Sequence, residues 1–195
     1  MKRFLFALII LFPGCSSYSG IQEDLRPLEW GQPVVSNNLE NVHQVSSGLY
    51  RGAQPDRAGM LDLKEMGIKS VLNLRSYHSN EEILNDLPVT SFRIRTHAGK
   101  ITDAEVLSFL KIILDPNNQP VFVHCRYGAD RTGLMCAVYR VVIQGWSRDS
   151  AIHEMQRGGY GAHKIYNGLA RYIREMDVTR IRNESGWKGT PVLSE

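Results

Sequence analysis

The stretch His124-Cys-Arg-Tyr-Gly-Ala-Asp-Arg-Thr-Gly133 decides the fold of this 195-residue chain. The segment before it, Pro120-Val-Phe-Val-His124, is short, apolar and rich in β-branched residues, which predicts a buried strand. After it, Leu134, Val138 and Val141 recur at helical spacing and predict a helix. The stretch is therefore a loop at a helix N-terminus, where unpaired backbone N–H groups and the positive end of the helix dipole favour an anion.

The residue types in this loop indicate attack on a bound phosphate. Cys125 would react as a thiolate, and a free thiol has a pKa of about 8.5, so the helix N-terminus, a guanidinium and a hydrogen bond from Thr132 would have to lower it. Arg131 offers a planar fork of donors that matches two phosphoryl oxygens. Gly128 permits backbone conformations in which successive N–H groups point inward at an anion.

The pattern His-Cys-x-x-Gly-x-x-Arg-Thr-Gly resembles the active-site signature of cysteine-dependent protein tyrosine and dual-specificity phosphatases. Segments 49–55 and 70–75 are similar to those of the small atypical dual-specificity phosphatases of bacteria, fungi and plants. The similarity spans roughly residues 42 to 176. It implies a phosphotyrosine-phosphatase-like fold and hydrolysis of phosphomonoesters through a phosphocysteine intermediate, without a metal or other cofactor.

The resemblance also implies roles for the loop residues. Phosphate is expected to be bound by the loop that runs from Cys125, through Arg126, Tyr127, Gly128, Ala129, Asp130 and Arg131. Supporting roles fall to His124, Thr132 and Arg75. The Asp130 carboxylate either repels further phosphates over the site or points away and pairs locally. The first reading favours monophosphorylated substrates such as phosphotyrosine over inositol polyphosphates.

A general acid must protonate the leaving oxygen, and the same group then activates water. In the resembled family this is an aspartate upstream of the nucleophile, and Asp103 occupies that place. An aspartate in the first turn of a helix is also stabilising through the helix dipole alone. Asp130, Asp86 and His97 are the other candidates for the acid.

The N-terminus has the layout of a secretory signal. Lys2-Arg3 precedes nine apolar residues at positions 4–12, too few to span a bilayer as a helix. The following residues resemble a bacterial lipobox with Cys15 as the lipidated residue, although Phe12 and Pro13 depart from that pattern. Ordinary cleavage after Ser19 is the alternative.

This layout predicts an exported cell-envelope lipoprotein on a periplasm-facing membrane, with a soluble periplasmic or secreted protein as the alternative. Without Lys2 and Arg3 the chain is close to electroneutral, which argues against nucleic acid as a partner. The expected partners are a phosphorylated protein or small molecule and, through the lipid anchor, the membrane. Cys136 is interpreted as a small buried residue, and no Cys/His cluster has metal-ligand spacing.

The predicted fold class is α/β, a single domain with a mostly parallel central sheet flanked by helices. Residues 1–14 are the predicted signal peptide, 15–40 a tether, 41–180 the phosphatase domain and 181–195 a C-terminal tail. Within the domain, Asp56 and Thr102-Asp-Ala-Glu105 are predicted to cap helices. In such sheets ligands bind beyond the carboxyl ends of strands, which also selects Arg75, His97 and Gln54 as neighbours of the site.

Three other functions remain open from the residues. The chain could act on phosphoinositides or small-molecule phosphates, or be a catalytically weak module that binds phosphorylated ligands. A thiol-redox or arsenate-reducing enzyme would need partner cysteines, and the only candidate is Cys136.

Overall fold

The computed structural model describes residues 26–84, 87–97, 99–163 and 167–189. Its sheet has the strand order β1-β2-β3-β6-β4-β5. The strands are β1 (Gln32–Pro33), β2 (His43–Ser46), β3 (Leu49–Gly52), β4 (Ser70–Arg75), β5 (Thr90–Thr96) and β6 (Val121–His124). The four strands β3, β6, β4 and β5 are mutually parallel, and β1 and β2 add an antiparallel edge. The predicted α/β fold with a mostly parallel sheet is confirmed.

Helices cover both faces of this sheet. They are α1 (Arg57–Glu65), α2 (Glu81–Leu84), α3 (Asp103–Leu114), α4 (Asp130–Val142), α5 (Arg148–Arg157), α6 (Asn167–Glu175) and α7 (Val178–Glu184). Asp56 caps α1 by accepting from the Gly59 N–H, and Thr102 and Glu105 form a reciprocal capping box on α3, as predicted. Among the described residues, no helix is long and apolar enough to cross a bilayer.

Side chains of β6 alternate between two apolar layers, because successive residues of a strand point to opposite faces. Val121 and Val123 join the larger layer with α3 to α7, whereas Phe122 packs with Met60 and Leu63 of α1. Helix α4 is buried along most of its length. The strand that delivers Cys125 and the helix that follows it are therefore the most deeply embedded elements, which fixes the loop between them.

The prediction of a tether over residues 15–40 is wrong for residues 26–40. Gln32 and Pro33 pair with β2, the Gly31 N–H donates to a carboxylate oxygen of Glu154 at 2.7 Å, and Leu39 is buried. Backbone pairing at the sheet edge and a buried carboxylate hold this segment to the domain. Residues 15–25 lie outside the described part of the chain.

The predicted boundary at residue 180 is also wrong, since α7 continues the domain beyond it. Ile181 is fully buried, and the Arg182 Nε donates to the Val142 carbonyl at 2.9 Å while its guanidinium lies over Trp187. The first residues assigned to a tail thus pack on the domain, and Trp187 packs on Arg182. Residues 190–195 lie outside the described part.

Candidate active site

The phosphate-binding loop starts at Cys125, directly after β6, and ends at Asp130, where α4 begins. Gly128 in its middle has φ +68°, in the left-handed region, and a Cβ there would lie 2.4 Å from the Gly52 carbonyl. Both the backbone conformation and the close approach to β3 therefore require glycine. The loop lies at the carboxyl ends of the parallel strands, the edge at which such sheets bind ligands.

The surroundings of the Cys125 thiol favour its deprotonation. Burial alone would raise the pKa, since the side chain is only 3% exposed. Hydrogen bonds from the hydroxyl and backbone N–H of Thr132, the charge of Arg131 and the Tyr127 N–H outweigh burial and lower the pKa of the thiol. Within the described residues the buried Thr132 hydroxyl has no hydrogen bond of normal geometry, which leaves it available to the Cys125 sulfur.

Arg131 is anchored at two neighbouring strand ends. One terminal nitrogen, Nη1, lies 3.3 Å from the Leu74 carbonyl oxygen and 3.4 Å from that of Thr96. These carbonyls, at the ends of β4 and β5, orient the guanidinium in the first turn of α4. The second terminal nitrogen makes no bond to the described protein groups, which leaves it for a phosphoryl oxygen.

His124 is a buried, neutral support of the loop. Burial lowers its pKa to about 4. Its Nδ1 donates to the Cys125 carbonyl at 3.1 Å, and its Nε2 accepts from the Asn80 amide at 2.9 Å. The Asn80 oxygen in turn accepts from the Asn73 amide at 3.2 Å. Sequence analysis missed Asn73 and Asn80, although a lone asparagine within the apolar strand Ser70-Val-Leu-Asn-Leu-Arg75 was a signal.

Arg51 is a second support that the sequence analysis missed. It is 1% exposed, and its Nη2 donates to the Gly128 carbonyl at 2.7 Å. Its guanidinium lies 3.6 Å from the ring centre of Tyr160, which is itself buried. The available signal was an arginine inside the short strand Leu49–Gly52, because a charge in a buried strand needs partners in the core.

The other predicted loop residues differ in their exposure and in their partners. Arg126 and Tyr127 are exposed, and the Arg126 guanidinium lies 5.0 Å from the Tyr127 ring centre. Ala129 is buried at the N-terminus of α4. The Asp130 carboxylate accepts from the backbone N–H of His163 and contacts its Nδ1, both at 2.8 Å. Asp130 thus pairs locally, as the second of the two readings of its carboxylate expects.

The Asp103 carboxylate is engaged by two side chains of the C-terminal helices. One carboxylate oxygen accepts from the Tyr172 hydroxyl at 2.6 Å, and the other pairs with Arg180 of α7. The Tyr172 hydrogen bond, together with Arg180, holds the pKa of Asp103 below its ordinary value. A general acid needs the opposite shift, because it must hold a proton until the leaving oxygen takes it.

Arg75 lies beside the loop, as predicted. Its Nη1 donates to the side-chain oxygen of Gln54, whose backbone N–H donates to the Arg126 carbonyl at 3.2 Å. Burial and the charges of Arg126 and Arg131 lower the pKa of Arg75, while Cys125 raises it. The Gln54 amide also contacts the ring of His78, a site neighbour absent from the sequence analysis.

The remaining predicted residues lie apart from this cluster or outside the description. His97 is exposed and contacts the Tyr77 ring edge-on. Cys136 is buried, and burial raises the pKa of its thiol. Cys15 and Asp86 lie outside the described residues. Within the described ranges, no three His, Cys, Asp or Glu side chains are grouped as a metal site would require.

Comparison with known proteins agrees with this geometry. A model of the tyrosine phosphatase family matches residues 38–188. The dual specificity protein phosphatase TpbA of Pseudomonas aeruginosa (strain UCBPP-PA14) is 36% identical over 154 residues, which cover 78% of this chain and 69% of TpbA. The inositol diphosphatase DSP1 of Oryza sativa subsp. japonica is 28% identical over 151 residues, covering 73% and 67%.

A crystal structure of P. aeruginosa TpbA in complex with pTyr superimposes with a TM-score of 0.74. It is 33% identical and covers 83% of this chain and 98% of that chain. The family match spans more than half of the sequence and includes the whole strand–loop–helix unit around Cys125. The chain therefore belongs to the tyrosine phosphatase family of cysteine-dependent phosphatases.

Proposed function

We propose that this protein hydrolyses phosphotyrosine and related phosphomonoesters in proteins through a phosphocysteine intermediate. The observation that carries the proposal is the Cys125 thiol of lowered pKa, at the start of a loop whose far end presents Arg131. The TpbA relative is a dual specificity phosphatase, and TpbA has been crystallised with pTyr. Both findings support a phosphorylated side chain as the substrate here.

In the proposed first step, the Cys125 thiolate attacks phosphorus. An S–P bond forms while the P–O bond to the leaving group breaks, and the leaving oxygen takes a proton. The loop N–H groups and Arg131 stabilise the three equatorial oxygens, on which the charge is carried. In the second step water attacks phosphorus and gives a proton to the base left when the leaving oxygen was protonated. The S–P bond breaks, and the Thr132 hydroxyl stabilises the departing thiolate.

Cys125→Ser should lower the turnover of a phosphotyrosine peptide by about a thousandfold or more, because an alcohol of far higher pKa replaces the thiolate. Binding of the peptide, measured by calorimetry, should persist since the loop amides and Arg131 remain. Cys136→Ala is the matched control, as its buried thiol has a raised pKa, and it should keep the rate. Activity of Cys125→Ser within tenfold of the wild type would refute the covalent mechanism.

Substitution of Asp103 tests whether it is the general acid. In the described conformation Asp103 joins α3 to Tyr172 of α6 and Arg180 of α7, so we expect Asp103→Asn to lower the melting temperature. It should change kcat for phosphotyrosine and for p-nitrophenyl phosphate by similar small factors. An acid would instead matter far more for phosphotyrosine, the poorer leaving group.

The comparison variant is Asp130→Asn, which alters the other predicted carboxylate. A loss of kcat confined to phosphotyrosine in Asp103→Asn would show that Asp103 is the acid and leaves its two partners when substrate binds. The same selective loss in Asp130→Asn alone would assign the acid to the Asp130–His163 pair.

A second candidate substrate is an inositol diphosphate, since one relative is named an inositol diphosphatase. One observation favours it. The charges of Arg75, Arg126 and Arg131 repel one another, and within the described residues none of the three has a carboxylate at ion-pair distance. A single phosphate held by the loop amides and Arg131 leaves Arg75 and Arg126 for a further anionic group.

Arg75→Gln tests this candidate. If Arg75 binds a second phosphate, kcat/KM for an inositol diphosphate should fall about tenfold more than kcat/KM for a phosphotyrosine peptide, as for loss of one charge-assisted hydrogen bond. Lys111→Gln, an exposed change of equal charge at the far end of α3, is the control. An unchanged ratio of the two kcat/KM values would exclude a second-phosphate role for Arg75.

We also propose that the protein is exported and anchored by lipid on Cys15, with the predicted signal removed. The support is the sequence pattern of residues 1–15 alone. Cys15→Ser should move the protein from the membrane fraction to the soluble fraction, because a triacylated cysteine anchors stably and an unmodified chain does not. Unaltered membrane association, with a cleaved signal, would favour processing after Ser19 instead.

A further inference from the structure

A short segment ahead of the family match is bonded to the interior of the domain. The match begins at residue 38, yet the Arg26 guanidinium donates to the carbonyls of Gly31 and Gly158, both at 2.7 Å. The Gly31 N–H donates to an oxygen of Glu154 at 2.7 Å. Residues 26–31, here called the N-terminal clamp, thus reach the loop between α5 and α6 and a buried carboxylate of α5.

That carboxylate is the centre of a buried polar network. Glu154 forms a two-pronged pair with Arg140 at 2.8 and 2.9 Å, and its Oε1 also accepts from the Tyr160 hydroxyl at 2.9 Å. Burial alone would raise the pKa of Glu154. The hydrogen bonds and charge of Arg140, the Gly31 N–H and the Tyr160 hydroxyl outweigh burial, so the pKa lies below its ordinary value. Glu154 therefore stays ionised and holds the clamp and Tyr160 on one oxygen.

Tyr160 connects this network to the phosphate-binding loop. Its ring lies against the Arg51 guanidinium, and Arg51 donates to the Gly128 carbonyl at 2.7 Å. Within the described residues, buried Arg51 has no carboxylate partner, so the ring and the loop carbonyls stabilise its charge. Asn41 adds a second link, since its amide donates to the carbonyls of Tyr127 and Tyr160 at 2.8 and 2.9 Å.

We propose that the N-terminal clamp positions the phosphate-binding loop, acting through Glu154, Tyr160 and Arg51. The loop N–H groups can point at a phosphate only while the carbonyls of the same peptide units point away from it. Arg51 donates a hydrogen bond to one of these carbonyls, that of Gly128. The clamp fixes Tyr160, Tyr160 fixes Arg51, and Arg51 fixes Gly128. This inference rests on the proposed function only where its test measures kcat.

Gly31→Ala is the most direct test, because a Cβ there would lie 2.9 Å from the Tyr160 hydroxyl oxygen and no closer than 3.5 Å to any other group. Displacing Tyr160 should lower kcat about tenfold, since small displacements of a catalytic loop are costly. It should also raise the pH at which iodoacetamide alkylates Cys125 half-maximally. Inorganic phosphate should then protect Cys125 less well. Alkylation and protection do not need turnover, so they test the clamp even if the protein is not a phosphatase.

Tyr160→Phe distinguishes an effect on loop positioning from a general loss of stability. It removes the hydroxyl that a Cβ at position 31 would meet, so the double variant Gly31→Ala/Tyr160→Phe should lose less than the product of the two single losses. Arg26→Gln, which loses both carbonyl contacts without any overlap, should shift alkylation in the same direction. Ser36→Ala is the matched control, because Ser36 lies between the clamp and the family match and bonds Asp62 of α1, away from the network, at 2.6 Å.

The proposal is overturned if Gly31→Ala and Arg26→Gln, both folded by circular dichroism, keep the wild-type alkylation profile and phosphate protection. It is also overturned if Ser36→Ala shifts these readouts as much as Arg26→Gln does, since the effect would then be one of stability. Should Gly31→Ala fail to fold, Arg26→Gln and Tyr160→Phe decide. Strictly multiplicative losses in the double variant would exclude coupling through Tyr160.

Discussion

A loop that binds phosphate with its backbone N–H groups needs hydrogen-bond donors for the carbonyls on its opposite side. Each peptide unit that turns its N–H toward the anion turns its C=O away, and a buried carbonyl without a donor is costly. The protein supplies donors from residues far apart in sequence. Arg51 bonds Gly128, the Gln54 N–H bonds Arg126, Asn41 bonds Tyr127, and His124 bonds Cys125. The rigidity of the anion site therefore depends on the groups that donate hydrogen bonds to these carbonyls.

Charge follows from the same arrangement. The groups around the loop are mostly cationic or neutral donors, with Arg131 and Arg75 near the thiol, while His124 is kept neutral by burial. Such a surplus of positive charge is unfavourable in the unliganded protein, and a thiolate and a phosphate dianion relieve it. The Asp130 carboxylate would oppose this potential if it faced the pocket, but it is engaged by His163.

The strand–loop–helix unit around Cys125, the parallel sheet and the caps of α1 and α3 could all be predicted because they depend on local patterns. The roles of Gly128, Arg131 and Thr132 could be predicted because these residues belong to the same short motif as Cys125. Arg51, Asn73 and Asn80 could not be placed, since their partners are set by the sheet order, which puts β6 between β3 and β4. Glu154 could not be placed because its partners, the Gly31 N–H and the Arg140 guanidinium, come from separate parts of the chain. A polar residue in an apolar strand signals that it needs a partner, but not which one.

Residues 26–40 and Asp103 show two different reasons for error. The clamp has the polar, Gly- and Pro-containing composition of a linker, yet the Arg26 guanidinium and the Gly31 N–H bond it to partners on and beyond α5, which composition does not report. Asp103 stands where the resemblance places an acid, at the start of α3. What decides its chemistry is Tyr172 and Arg180, about 70 residues further along the chain, which stabilise its ionised form. Position along the chain indicates where a carboxyl group lies, whereas its pKa, and hence its role, depends on residues that only the tertiary fold brings to it.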